Sequence, residues 1–260
     1  SSDLLMAFTT ACSSKTENTT TTSQDKDTFT YAINSDPSST NPINVSDRWG
    51  LTMTNMIYSP LIRVEGDGSL VNELAESTEL AKDGLSLTVN LKKGIKWSDG
   101  QDFTADDVVF TYETKAKKEN GNFKSLWIND KPITVEKKDD HTVVFKFPEP
   151  SAAAANNIAT ETYIIPKHIY GNVSDFSVKD LQEKPVGTGP YKLAENKRGE
   201  YIKFEANENY YKGKPNVKNV VLRVIQSADT AKVALQKGEI DASYVLPTDI
   251  KDLDTNKLDE

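Results

Sequence analysis

Between Asp83 and Tyr112 the chain reads DGLSLTVNLKKGIKWSDGQDFTADDVVFTY, and its apolar positions change period partway along. Leu85, Leu87, Val89 and Leu91 alternate with Ser86, Thr88 and Asn90, a period of two that predicts a strand with one buried face. Asp83-Gly84 and Asp99-Gly100 are dipeptides that tolerate positive φ and close tight turns. Trp97 and Phe103 flank the second turn and are expected to pack together beneath it. Thr104, with Asp106 and Asp107 after it, forms a capping-box variant that places two carboxylates in a first helical turn. Val108, Val109 and Tyr112 then carry the apolar face of a helix expected to run from Ala105 to about Lys118.

The same patterns divide the rest of the chain. Phe29, Tyr31 and Ile33 alternate as a first strand, which Asp36-Pro37 ends. After a loop rich in Ser, Asn and Pro, residues 49–58 predict a helix with Met53, Met56 and Ile57 on one side, stopped at Ser59-Pro60. Asp-Gly turns at Asp67, Asp83 and Asp99 are evenly spaced, which suggests a meander of short antiparallel strands. Beyond a polar loop, residues 133–147 predict a hairpin with Val143, Phe145 and Phe147 on one face, and 152–159 a small-residue helix. Residues 201–207 alternate again, and Val217 to Ile225 is apolar enough to predict a strand buried on both faces. Ser227 caps a helix through Lys237 with Gly238 as its terminator, and Glu239-Ile240-Asp241 opens another strand.

Several segments, in one order along the chain, resemble the family 5 extracellular solute-binding proteins, the oligopeptide, dipeptide and nickel receptors of bacterial ABC importers. They are YSPL at 58–61, NELAES at 72–77, the stretch from Asp83 to Tyr112, IIPKH at 164–168, PVGTGPYKL at 185–193, NENYYKGKP at 207–215 and GEIDAS at 238–243. Their shared order is far more specific than any one of them. The resemblance implies an α/β fold of the type II periplasmic-binding-protein kind, a flytrap of two lobes with an antiparallel, β-rich subdomain inserted into the first. On that pattern residues 28–58 and 185–245 form the first lobe, 59–184 the inserted subdomain, and 246–260 the start of a second lobe. Members of the family are roughly twice as long, so the chain is expected to be truncated, with the second lobe and its half of the cleft lying beyond it.

Composition narrows the function. A net charge of −8 argues against nucleic acid, whose phosphates need a basic partner. Cys12 is the single cysteine, so no disulfide forms within the chain. Ala11-Cys12, after an apolar segment and before a Ser/Thr-rich tract, resembles a lipoprotein processing site, although Thr9 and Asp3 depart from that pattern. On that reading residues 1–27 are a signal remnant, a lipid-bearing Cys12 and a disordered tether; the plainer alternative is an idle thiol.

No catalytic constellation emerges. His141 and His168 are the only histidines and have no partner at metal-ligand spacing, so neither a metal nor a cofactor is expected. Asp106 and Asp107 are accounted for by the helix start, and Gly187-Thr188-Gly189 lacks the lysine of a phosphate loop and reads as a close backbone approach between lobes. The resemblance points instead to ligand-binding segments on the first-lobe wall. These are the loop into the first helix, with Arg48, Trp49 and Gly50 after Asp47, and the strand end Ser243, Tyr244 and Val245. Phe123, with Asn122 and Trp127, is a third candidate, and core packing competes for both tryptophans. The implied function is capture of oligopeptides by a monomeric, lipid-anchored receptor at the outer face of the cytoplasmic membrane, or in a periplasm, that delivers them to an ABC permease. Dipeptide or nickel-chelate binding and peptide-pheromone signalling are the alternatives; a hydrolase lacks its catalytic set.

Overall fold

A computed structural model describes residues 27–120, 123–151, 153–160, 162–173 and 184–244 of the 260-residue chain. Two sheets organise them. The first takes β1 (Thr28–Ile33), β10 (Tyr191–Lys197), β11 (Tyr201–Ala206), β12 (Asn219–Val224) and β13 (Ala242–Ser243) in the order β10-β11-β12-β1-β13. β10, β11 and β12 are antiparallel neighbours, whereas β1 runs parallel to β12 on one side and to β13 on the other.

Helix α1 (Arg48–Ile57) packs on one face of this sheet. Trp49, Met53 and Ile57 share a core with Ile33, Ile202, Phe204, Val220 and Leu222. Helix α5 (Ala228–Gln236), capped by the Ser227 side chain and ended at Gly238 with φ +69°, packs on the other face through Ala231 and Ala234 against Ala32 and Ile240. That second core is small, and it corrects one expectation. β12 is buried on one face only: Val220 and Leu222 point into the α1 core, while Val221 is half-buried and Arg223 is exposed.

The second sheet is antiparallel, in the order β4-β5-β9-β8, from β4 (Ala75–Leu80), β5 (Ser86–Leu91), β8 (Thr134–Asp139) and β9 (Thr142–Lys146). Leu87, Val89 and Leu91 are buried as the alternation requires, but Leu85 falls outside the strand and is exposed. Val143, Phe145 and Phe147 face the same core, and Phe145 meets Tyr112 edge-on at 4.7 Å. Helix α2 (Ala105–Lys115) lies against it. The Thr104 side chain accepts from the Asp106 amide, and the Asp107 carboxylate accepts from the Thr104 amide, so the capping box forms. The helix stops at Lys115, short of Lys118, which begins a separate 3₁₀ turn. Trp97 and Phe103 pack edge-to-face at 6.0 Å, as expected.

The glycines of all three Asp-Gly turns have positive φ. They do not close one meander, however. The first joins β2 (Ile62–Val64) and β3 (Leu70–Asn72) in a separate hairpin, and the third closes only a single bridge between Lys96 and Asp102. The polar loop after α2 contains a short hairpin, β6 (Trp127–Ile128) with β7 (Lys131–Pro132), turned at Asn129 and Asp130, both at positive φ. Asn and Asp are the side-chain-bearing residues that best tolerate that region, so the Asn-Asp pair was the available signal. Helices α3 (Ala154–Ala159) and α4 (Lys167–Tyr170) complete this half.

The segment that returns to β10 is fastened at backbone level to both halves, and the Ser98 amide donates to the Gly187 carbonyl at 2.9 Å. Gly187 and Gly189 press on the last turn of α1, and the Gly189 amide donates to the Ile57 carbonyl at 2.8 Å. A Cβ on Gly187 would overlap that same carbonyl oxygen. Asn207 Nδ2 donates to Gly189 O at 2.8 Å and Asn209 Nδ2 to Trp97 O at 3.2 Å. Beside this seam Glu73, with a side chain only 3% exposed, accepts from Tyr211 Oη at 2.6 Å and pairs with Lys212 Nζ at 2.5 Å and with Arg63. Burial works to raise its pKa, but the Lys212 and Tyr211 bonds and the Arg63 charge outweigh that and hold the carboxyl below its usual range.

Two outcomes follow for stability. Gly187→Ala should cost about 3 kcal/mol or abolish folding, because the neighbour to be displaced is backbone; a thermal midpoint unchanged from wild type would contradict this close approach. Glu73→Gln should cost on the order of 1–2 kcal/mol near neutral pH, since its cationic partners are half-exposed and partly screened. A carboxyl whose folded pKa is depressed adds stability above its unfolded pKa and loses it as pH falls through the folded value. Urea unfolding should therefore show the gap between Glu73→Gln and wild type closing in acid.

Candidate functional site

β1, β12 and β13 are parallel and adjacent, so their carboxyl ends lie side by side. From β1 the chain leaves to α1 on one face of the sheet; from β12 it leaves to α5 on the other. Where neighbouring parallel strands send their connections to opposite faces, a crevice opens outside the strand ends, and ligands of open α/β sheets bind there. The structure has a groove of ≈ 220 Å³ at this place. Its lining comes from all three strand ends: Ile33 ending β1 and Asn34 after it, Ile225 and Gln226 after β12, Ser243 ending β13 and Tyr244 after it, with Trp49 of α1 and Ala228 and Ala231 of α5 between them.

Asp47 is the N-cap of α1, so Arg48, Trp49 and Gly50 stand in its first turn and not in a loop. The Asp47 carboxylate accepts from the Gly50 amide at 2.9 Å and from the amide and hydroxyl of Ser38. Burial pushes its pKa up, yet these bonds prevail and keep it below the usual carboxylate value. Trp49 is 6% exposed; it packs in the core and also reaches the groove. Its ring belongs to the α1 core, 6.0 Å from Tyr31, while its Nε1 donates to Asn34 Oδ1 at 2.6 Å at the groove. Arg48 reaches over the Tyr244 ring, with Cζ 4.7 Å from the centroid. Tyr31 lies near both: burial raises its phenol pKa, the Arg48 charge opposes this and Tyr244 adds to it.

Trp49, Ser243 and Tyr244 therefore meet at one groove, with Arg48 at its rim. Gly50 does not line it. It is buried under the preceding loop, where a Cβ would collide with Val45, Asp47 and the Ser39 carbonyl, so its role is to let that loop close over α1. Phe123 is also elsewhere: it packs edge-on against Trp127 at 5.5 Å on the antiparallel-sheet side, and Trp127 Nε1 is tied to the Ala116 carbonyl at 2.9 Å. Val245, Asn122 and Cys12 lie outside the described residues. Asn34, Ile225, Gln226 and Tyr31 were not anticipated. Asn34 and Gln226 each follow an apolar strand, but the sequence does not say that those strands are neighbours.

The groups set aside as non-catalytic have structural partners. Asp106 bonds Lys137 at 2.5 Å and Lys167 at 3.3 Å, and these lower its pKa. Asp107 accepts from the Thr104 and Lys167 amides at 2.9 Å each and from Trp97 Nε1 at 3.3 Å; burial still raises its pKa. His168 Nε2 lies 2.7 Å from Asp99 Oδ2. Among the described residues no three His, Cys, Asp or Glu side chains are grouped to hold a metal ion, and no helix is long and apolar enough to cross a membrane.

The comparisons with known proteins agree with this architecture. The curated oligopeptide-binding protein AppA of Bacillus subtilis (strain 168) is 39% identical over 223 residues, which are 83% of this chain and 40% of AppA. The structure of AppA in complex with a nonapeptide superposes with a TM-score of 0.80 at 36% identity, over 86% of this chain and 45% of that one. The ABC transporter substrate binding protein CtaP from Listeria monocytogenes gives 0.81 at 37%, over 88% and 46%. NikZ from Campylobacter jejuni, in complex with Ni(L-His), gives 0.77 at 30%, over 89% and 46%. The chain thus spans less than half the length of these relatives, and its fold is that of the type II periplasmic binding proteins. The family model for bacterial extracellular solute-binding proteins, family 5 (middle), matches residues 69–260, about three-quarters of the sequence, and to that family of solute-binding proteins the chain belongs.

Proposed function

We propose that this chain supplies one wall of the ligand cleft in the extracellular substrate-binding component of an ABC importer, and that the ligand is an oligopeptide. The observation that carries the reading is the groove at the carboxyl ends of β1, β12 and β13, lined by aromatic, aliphatic and a few polar groups. At ≈ 220 Å³ it falls below the range of about 300–1,000 Å³ usual for complete ligand pockets. A one-walled crevice of this size needs a second surface to enclose a peptide, and the greater length of the relatives supplies room for one.

On this reading residues 28–58 and 185–245 are the first lobe, 59–184 an inserted subdomain and 246–260 the start of the second lobe. Arg48, Trp49, Ser243, Tyr244 and Val245 contact ligand, with Asn34 and Gln226 added from the groove. An extended peptide is held through its backbone, which gives affinity with little sequence preference, and water fills the side-chain pockets around varied residues. Closure of the lobes buries the ligand, and the loaded form docks on a membrane permease; ligand shifts the open–closed balance only by its preference for the closed form. Cys12 carries a lipid that holds a monomeric receptor at the outer face of the cytoplasmic membrane. The protein binds its peptide without cleaving it.

AppA, the relative solved with a nonapeptide, supports oligopeptides ahead of the nickel chelate held by NikZ. Native mass spectrometry of the complete gene product, taken straight from cells, tests this. Co-purifying masses of mixed short peptides, lost from a Tyr244→Ala variant or weakened about tenfold in titration, are the expected result. A single metal chelate, or cleavage of an added peptide, would overturn it. Metabolic labelling with a radioactive fatty acid should mark the wild type and spare Cys12→Ala.

A further inference from the structure

The chain carries a net charge of −8, yet a cation stands at the rim of its crevice with no carboxylate paired to it among the described residues. Arg48 is exposed, and no ion pair to it occurs among the described residues. Described acids on the elements around the crevice have other partners, among them Asp36 on the Gly199 amide and Asp241 on the Thr30 amide. Asp47 spends its oxygens on Ser38 and the Gly50 amide. On the α5 side Asp229 pairs with Lys232 at 2.9 Å, and Glu239 stands 4.0 Å from Arg223.

The Arg48 guanidinium is nonetheless oriented. It sits over the Tyr244 ring at 4.7 Å, and Tyr244 itself lines the groove while remaining 47% exposed. A guanidinium stacked on a ring uses its face and leaves the N–H edge free to donate, and that edge matches the two oxygens of a carboxylate. Covering the crevice with a second wall would strip water from this cation. An unpaired charge is costly to desolvate, and a ring face offsets only part of the cost. A ligand that brings an anion to this point removes the cost; one that does not incurs it.

We propose that Arg48, held face-on by Tyr244, selects for a carboxylate on the ligand bound in this crevice. The inference rests on the reading of the crevice as a peptide site and adds a chemical preference to it. Two parts of a peptide offer that group: the C-terminal carboxylate and an acidic side chain.

Calorimetric titration of the complete gene product with four synthetic nonapeptide mixtures separates them. The mixtures carry glutamate or glutamine at their varied positions, each with a free or an amidated C-terminus. Wild type should prefer at least one carboxylate-bearing form by about fivefold or more, the scale of a partly exposed ion pair. Preference that follows the terminus assigns the terminal carboxylate, and preference that follows glutamate assigns the side chain. Arg48→Met, which keeps the apolar stem, should bring the carboxylate-bearing mixtures down to the affinity of the neutral one, and Arg48→Lys, which keeps charge but not the fork, should recover part of the difference. Equal binding of all four mixtures by wild type, or an undiminished preference in Arg48→Met, would overturn the proposal while leaving a peptide receptor. Binding of none of the four would remove the peptide reading itself, and this inference with it.

Discussion

The architecture depends on β1 being the middle of a parallel trio whose other members lie far downstream in sequence. Thr28 faces Asn219, and Tyr31 faces Ala242. A strand buried between two parallel neighbours cannot be completed by a hairpin; each partner must arrive from a crossover. The crossover through α5 links β12 to β13 with β1 between them, and it covers the face that α1 leaves open. Alternate residues of β1 therefore serve different cores, Ile33 with α1 and Ala32 with α5. The crevice is a by-product of that arrangement. Two helices that depart from adjacent strand ends to opposite faces must leave a gap between them.

What fills the span between β1 and its partners has to return the chain without prying the sheet apart. The antiparallel half does this by docking on α1, the helix that β1 leads into. Between them runs the segment that returns to β10: it lies backbone to backbone on α1 and on Ser98, and Gly187 and Gly189, without Cβ atoms, allow that approach. Side chains then secure the seam from both directions: Ile165 and Tyr170 enter the α1 core, where Tyr170 Oη meets Tyr58 Oη at 3.2 Å, and the Tyr211–Lys212 turn reaches back to Glu73. Glu73 is nearly buried yet stays ionised because three partners address its two oxygens. A lone buried carboxylate would instead have been pushed toward the neutral form.

Local chemistry was the most legible part of the sequence. The capping box at Thr104, the packing of Trp97 on Phe103, the alternation in β5 and the Ser227 cap each depend on residues within one turn or hairpin, where spacing determines contact. Register and partners beyond that range were not legible. Asp67-Gly68 and Asp83-Gly84 carry the same turn signal, but only the second opens into the four-stranded sheet, because β5 pairs onward with β9 across an intervening helix. The apolar content of β12 suggested burial on both faces, yet the core beneath α5 is small and takes in none of that strand's residues. For the site, resemblance to a family pointed to two segments, and the structure sorted their members. It brought Trp49, Ser243 and Tyr244 together, turned Gly50 inward, and drew in Asn34 and Gln226 through a strand adjacency that no local pattern encodes.

The two sides of the crevice are held with unequal strength. Trp49 is fixed by the α1 core, by Tyr31 and by a hydrogen bond to Asn34, so moving it would disturb the sheet itself. Tyr244 follows a strand of two residues, paired to β1 at two positions on the sheet's edge, and its ring is half in solvent. Local opening costs least where buried contacts and ladder hydrogen bonds are fewest. The wall that must stay constant is thus built into the core, and the wall that can adjust hangs from its edge. On the proposed peptide reading, that division suits ligands that share one backbone and differ in their side chains. Arg48 bridges the two sides, rooted in the rigid helix and resting on the ring that can move.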